Sequence, residues 1–223
     1  ENGLVVSNEV IKQRAAVLVE NTSKWGAHNM VVTNNDPSHF QSLPQFFDVM
    51  VVDAPCSGSG LFRKDPAAIE GWSLDLVALC AQRQQRILAD ALPALADGGV
   101  LIYATCSYDP QEDEMIADWL VNEMALTPQA IDIDNFPGII QTAAQISNAP
   151  GYRFYPDQIK GEGFFIAAFK KEKSSVYRRC FLQKNRRQRV ALYSKRRGKN
   201  FRGRSHCDLC RSSTFPRIIP TTN

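Results

Sequence analysis

The sequence predicts an α/β protein whose mainly parallel sheet is covered by helices. Three observations lead there. Apolar strand-like runs alternate with segments of helical periodicity, the runs are nearly continuous in Val and Ile, and carboxylates and thiols sit where the runs end. Strands buried on both faces give continuous runs, and parallel strands need helical crossovers between them. In order, GLVVS at 3–7 reads as a short strand and EVIKQRAAVLVENTSKWG as a helix with apolar positions returning near helical spacing. NMVVT and FDVMVVDA are the next strands, followed by a helix over residues 74–95. ADGGVLIYATC is a turn and a strand. PQEDEMIADWLVNE is a helix whose early acids suit its positive end, and GFFIAAF at 163–169 is the last clear strand.

With 223 residues, 44% of them hydrophobic, the chain can bury one sizeable core. Six cysteines at 56, 80, 106, 180, 207 and 210 lack the density of a disulfide framework, which predicts a reducing, cytoplasmic setting. No apolar run reaches membrane-spanning length, and ENGLVVSNE lacks the basic and apolar regions of a signal peptide, so no membrane partner is expected. Composition breaks near residue 170. Residues 170–223 hold 17 Lys or Arg against two acids, whereas the preceding residues hold 9 basic and 21 acidic ones. Residues 171–223 therefore read as a basic, disordered tail able to attract a polyanion. Within it, His206, Cys207 and Cys210 lack the fourth donor of a closed zinc site, so no metal is expected.

An isolated cysteine is ordinarily a small buried hydrophobe, which suits Cys80. Cys56 in VVDAPCSGSG and Cys106 in YATCSYDP differ, because each follows an apolar strand and precedes a turn. Histidines at 28, 39 and 206 give little support to a Cys-His hydrolase. Addition to an electron-poor ring fits better: a thiolate attacks C6 of cytosine and makes C5 nucleophilic, while a carboxyl group holds the N3 and amine edge. Asp53 supplies such a group beside Cys56.

DAPCSGSG at 53–60, RKDP at 63–66, YATCS at 103–107, PQEDE at 110–114 and RFYPDQIKGEGFF at 153–165 occur in this order. The set resembles the NOL1/NOP2/Sun family of S-adenosylmethionine-dependent RNA cytosine-5 methyltransferases, bacterial ribosomal RNA type, over residues 1–170. The resemblance implies a Rossmann-like class I S-adenosylmethionine-dependent methyltransferase fold and S-adenosyl-L-methionine as cofactor. It makes Cys106 the nucleophile, Cys56 the cysteine associated with product release, and Asp53 the cytosine-contacting acid at the edge of the cofactor pocket. Glu9 matches the acid on the ribose hydroxyls, Asp36 the acid near the adenine, and Pro55 part of the pocket wall. Arg63 and Lys64 are implied phosphate contacts, with Arg153 and Lys160 at the target-base rim. The implied partner is RNA, small-subunit ribosomal RNA first and transfer RNA second, with no obligate protein partner.

The family's cofactor motif with Pro, Gly-Gly and Lys-Thr has no match here, so the fold is expected to be amino-terminally truncated. In the family's strand order, 3-2-1-4-5-7-6, the strand left out lies between the two visible parts of the sheet, and its loss would leave central backbone groups unpaired. The rival reading is a catalytically incomplete RNA-binding or ribosome-assembly protein. A DNA cytosine methyltransferase is less suited, because those enzymes use the PC-motif cysteine as nucleophile.

Overall fold

The computed structural model describes residues 3–173, 189–194 and 218–219. Strand β1 (Leu4–Glu9) leads into helix α1 (Lys12–Trp25), and Gly26 in the left-handed region ends that helix with its N–H on Ser23 O. Strand β2 (Met30–Thr33) and a 3₁₀ turn at Pro37–Ser42 come next, then β3 (Phe47–Asp53). A one-turn helix α2 (Ala67–Glu70) precedes α3 (Leu74–Ala91), whose start is set by Ser73: its hydroxyl accepts the Leu76 N–H at 3.1 Å. Pro93 follows, where a residue without an N–H ends the helical ladder. Strand β4 (Leu95–Thr105) and helix α4 (Glu114–Asn122) follow. After them come β5 (Leu126–Gln129), β6 (Ile139–Ala143), β7 (Pro150–Phe154), β8 (Phe164–Lys171), β9 (Arg189–Ser194) and β10 (Ile218–Ile219).

These strands form one sheet in the order β10-β2-β1-β9-β3-β4-β8-β7-β6, with β5 also on β8. The block β2-β1-β9-β3-β4 is parallel throughout, as the continuous Val and Ile runs predict. Beyond β4 the pairing turns antiparallel, which the sequence reading did not anticipate. Tyr103, Phe165 and Phe169 from β4 and β8 are buried with Ile87 and Leu88 of α3 and Ile116 and Leu120 of α4. Each such side chain contributes about 1.5–3 kcal/mol by leaving water.

Strand β9 lies within residues 171–223 and takes the place between β1 and β3 where unpaired backbone is expected. It runs parallel to both neighbours, from Leu4↔Arg189 to Glu9↔Ser194 on one side and from Val49↔Val190 to Asp53↔Ser194 on the other. Glu9 and Asp53 therefore reach the same sheet edge in register with one residue, about 10 Å apart by strand spacing. Among the described residues, no helix is long and apolar enough to cross a membrane.

Candidate active site

Side chains gather at the carboxyl ends of the parallel strands, where open α/β sheets place their ligands. Asp53 pairs with Ala104, so the loops leaving β3 and β4 start side by side. They are then cross-laced. The Ala54 N–H donates to Ala104 O at 2.8 Å, the Gly60 N–H to Cys106 O at 3.0 Å and the Tyr108 N–H to Ser59 Oγ at 2.8 Å. The lacing brings Cys56 Sγ to 3.1 Å from Cys106 Sγ, neither cysteine being in a disulfide. Cys56 is buried and Cys106 partly exposed, so the two thiols are not equivalent toward an incoming ring.

The glycines of CSGSG have separate tasks. Gly58 turns the chain at φ 82°, and Gly60 lies between two other loops, its N–H on Cys106 and its carbonyl accepting the Gly163 N–H at 3.0 Å. A Cβ on Gly60 would collide with Gly163 O and approach Cys106 O at 2.8 Å. Gly60→Ala should lower stability by about 1–3 kcal/mol through forced backbone shifts, read as the urea midpoint. An unchanged midpoint would show that the three loops are not in close contact.

Beneath the thiols lies a buried acidic cluster. Glu112 Oε1 accepts the Ser57 N–H at 2.7 Å, and its Oε2 accepts the hydroxyls of Ser57 and Ser107, each at 2.6 Å. Burial pushes its carboxyl up, with the Ser107 and Ser57 hydrogen bonds partly opposing. Arg153 Nε donates to Glu114 Oε1 at 2.8 Å and its Nη2 to Glu114 Oε2, while Asp113 Oδ2 lies 3.0 Å from the same guanidinium. Burial works against both charges of the Arg153–Glu114 pair. Their bidentate contact nevertheless holds Arg153 above its ordinary value and, with Thr142, Glu114 below its own. Asp113 has the poorer share of the one guanidinium, and burial pushes its carboxyl up to about 8 despite the Thr105 hydroxyl and Arg153.

That shift has a sign. A proton that the folded chain keeps and the unfolded chain releases stabilises at low pH, and the contribution is lost as pH rises through about 8. Asp113→Asn should therefore gain on the parent protein from pH 5 to 8, by up to about 1.4 kcal/mol per pH unit, in urea denaturation. A difference independent of pH would contradict an elevated Asp113.

Of the other residues expected at the site, Glu9 ends β1, its Oε1 accepting the Ile11 N–H at 2.9 Å and its Oε2 lying 3.5 Å from Arg14. Asp36 accepts the N–H and hydroxyl of Ser38, capping the 3₁₀ turn. Asp53 is exposed at the strand end, and Pro55 is buried with its carbonyl accepting from Gln84 at 2.8 Å. Lys64 and Lys160 are exposed. Arg63 is also exposed, but it clasps the 156–162 loop, donating to Gly161 O and lying 3.6 Å from Glu162. Arg153, expected at the rim, is instead buried at 5% exposure, because two carboxylates and Tyr108 O occupy its donors. Ser57 and Ser107, which Glu112 anchors, are the site residues that sequence reasoning missed. The acids of PQEDE, more than a helix start needs, are the signal that points to them. Among the described residues, no group of three or more His, Cys, Asp or Glu could hold a metal ion. His206, Cys207 and Cys210 lie outside them.

The same fold occurs in solved structures. NSun6 from Pyrococcus horikoshii aligns at a TM-score of 0.65 and 26% identity, covering 77% of this chain and 42% of that one. A methyltransferase homolog protein from the same organism aligns at 0.63 and 27%, covering 76% and 53%. The architecture is thus that of the Rossmann-like class I S-adenosylmethionine-dependent methyltransferases. Within that class, the chain belongs to the 16S rRNA methyltransferase RsmB/F family, whose model matches residues 1–170. The ribosomal RNA small subunit methyltransferase F of Pectobacterium carotovorum is 36% identical over 174 residues, covering 77% of this chain and 35% of the relative. That of Serratia proteamaculans is 37% identical, covering 77% and 36%. The chain spans about a third of the length of these curated relatives.

Proposed function

We propose that this chain carries the thiol machinery for methylating cytosine at C5 in RNA. The observation that supports the reading most is the pair of thiols 3.1 Å apart and not joined in a disulfide, one buried and one partly exposed, at the edge that also carries Asp53. Cys106, the accessible thiol, attacks C6 of the pyrimidine as a thiolate, forming an S–C6 bond and moving electron density to C5. Asp53 at the strand end holds the N3 and amine edge and so keeps the ring over Cys106. S-adenosylmethionine, when bound, supplies the electrophilic methyl group that C5 accepts. Transfer of the C5 proton to water, with Cys56 alongside to assist, then restores the C5–C6 double bond as the S–C6 bond breaks and the Cys106 thiolate leaves. A paired target base has to leave its stack before a thiol can reach C6.

The residues present fit the cofactor in their donor set. Glu9 and Asp53 put acceptors at the ends of β1 and β3, and Asp36 puts one in the loop after β2, suited to ribose hydroxyls and an adenine amine. Glu9 is oriented by Ile11 and Arg14, and carboxylate oxygens accept more than one hydrogen bond each. Pro55 stiffens the wall between Asp53 and Cys56. Exposed Lys64 and Lys160 are the phosphate contacts in this reading, Arg63 acting through the loop it clasps. The names of the relatives favour small-subunit ribosomal RNA as the first substrate. We propose transfer RNA as the second and the cytoplasm as the setting.

The test is transfer of labelled methyl groups from S-adenosylmethionine to protein-free bacterial small-subunit ribosomal RNA, with transfer RNA in parallel, followed by nucleoside analysis. Label in 5-methylcytidine is expected. Label on another atom, or none from folded chain shown to bind the cofactor, would overturn the reading.

A further inference from the structure

We infer that Glu112 is the positioning residue that fixes the distance between the two thiols. The inference rests on the methyl-transfer reading for its purpose but not for its geometry. Ser57 directly follows Cys56 and Ser107 directly follows Cys106, and the one carboxylate of Glu112 is bonded to both serines. Glu112 is fully buried. Three donors from two loops converge on it, and Gln84, which also holds Pro55 O, comes within 3.5 Å of its Oε1. From below, the Tyr103 hydroxyl on β4 donates to the Glu112 carbonyl, fixing its backbone to the sheet. The Trp72 indole adds a bond to Ser57 Oγ at 3.1 Å.

An ordinary reason for an acid here would be the start of α4, but the Glu112 side chain is directed at the serines. A carboxylate offers only acceptors, which is what two hydroxyls and an N–H require, and charge-assisted bonds are roughly twice as strong as neutral ones. Leaving such a group buried without these partners would be costly, so the two loops are held to it as it is held to them. The consequence is a short, shared lever: moving either serine moves the adjacent cysteine.

The thiols themselves report the spacing. Equilibrated with oxidised and reduced glutathione, Cys56 and Cys106 lose two protons and two electrons to form one S–S bond, while oxidised glutathione becomes two reduced molecules. The fraction of Cys56–Cys106-linked peptide, measured by mass spectrometry on the whole chain, gives the effective concentration of one thiol at the other. Glu112→Ala and the double variant Ser57→Ala/Ser107→Ala should each lower that concentration by about tenfold or more, as expected for loss of fixed geometry. Glu112→Gln should stay within about threefold of the parent, because the serine hydroxyls can reverse to meet an amide of the same shape.

Folding is checked by urea denaturation, and the double variant decides if Glu112→Ala does not fold. A folded double variant with the parent's equilibrium would overturn the inference, as would a folded Glu112→Gln that falls as far as Ala. No RNA or cofactor enters this measurement. A lowered equilibrium beside absent methyl transfer would refute only the function proposed above, and an unchanged equilibrium beside intact transfer would refute only the role of Glu112.

Discussion

Cys106→Ala abolishes methyl transfer, whereas Cys56→Ala leaves RNA covalently attached to the protein. This is the expected result if the accessible thiol is the nucleophile and the buried one serves release. Removing Cys106 removes the S–C6 bond, without which C5 of cytosine is not nucleophilic, so the loss should span several orders of magnitude. Removing Cys56 leaves the attack intact and slows the step that expels Cys106. A complex that persists on a denaturing gel should then accumulate and carry one label per protein. The 3.1 Å separation makes the division of labour testable, because either sulfur is close enough to replace the other in principle. Adduct formation by Cys106→Ala would reverse the roles, and undiminished transfer by that variant would end the covalent mechanism.

The second large effect is structural. Arg153→Ala should cost about 3–5 kcal/mol, because it leaves Glu114 and Asp113 buried without their cation. The urea midpoint would fall at an unchanged slope. Glu114 carries most of the loss, since the guanidinium holds both of its oxygens, whereas Asp113 can keep a proton instead. Adding Glu114→Gln to an Arg153→Met variant should recover part of the deficit by removing the stranded charge. Arg153→Lys should fall between, because an ammonium cannot make the two-pronged contact. A loss below about 1 kcal/mol for Arg153→Ala would mean that the pair behaves as a surface ion pair.

How much of this can be read from the chain depends on what each element is made of. Strands β1 to β4 and helices α1, α3 and α4 are legible because burial on both sheet faces demands long Val and Ile runs between amphipathic segments. Strands β6 and β7 are not. Antiparallel strands near an edge tolerate short polar sequences, and PGYRF opens with two residues that signal a turn. RVALYS is a plausible strand by composition, but the basic residues around it outweigh six positions. At the site, the approach of Cys56 and Cys106 follows from two loops leaving adjacent strand ends. The place of Glu112 between Ser57 and Ser107 does not, because a surplus acid at a helix start does not show which two loops its carboxylate will join. Arg153 misleads for a related reason: its carboxylate partner Glu114 lies 39 residues earlier, so the sequence shows a cation without the ion pair that takes it into the core.

The insertion of β9 between β1 and β3 bears on the order in which the molecule comes together. The β1–β2 pair and the β3–β4 pair are not hydrogen-bonded to each other in the sheet; both bond to β9. A chain synthesised from its amino terminus thus makes the middle of this sheet only after both flanking pairs have emerged with one edge unfilled. Joining Leu4 to Arg189 closes a loop that contains all of β2 to β8, and such a contact is entropically expensive and slow to find. Glu9 and Asp53 reach their common register through β9, so the sheet edge that carries the site is aligned only once that strand has joined the two pairs made before it.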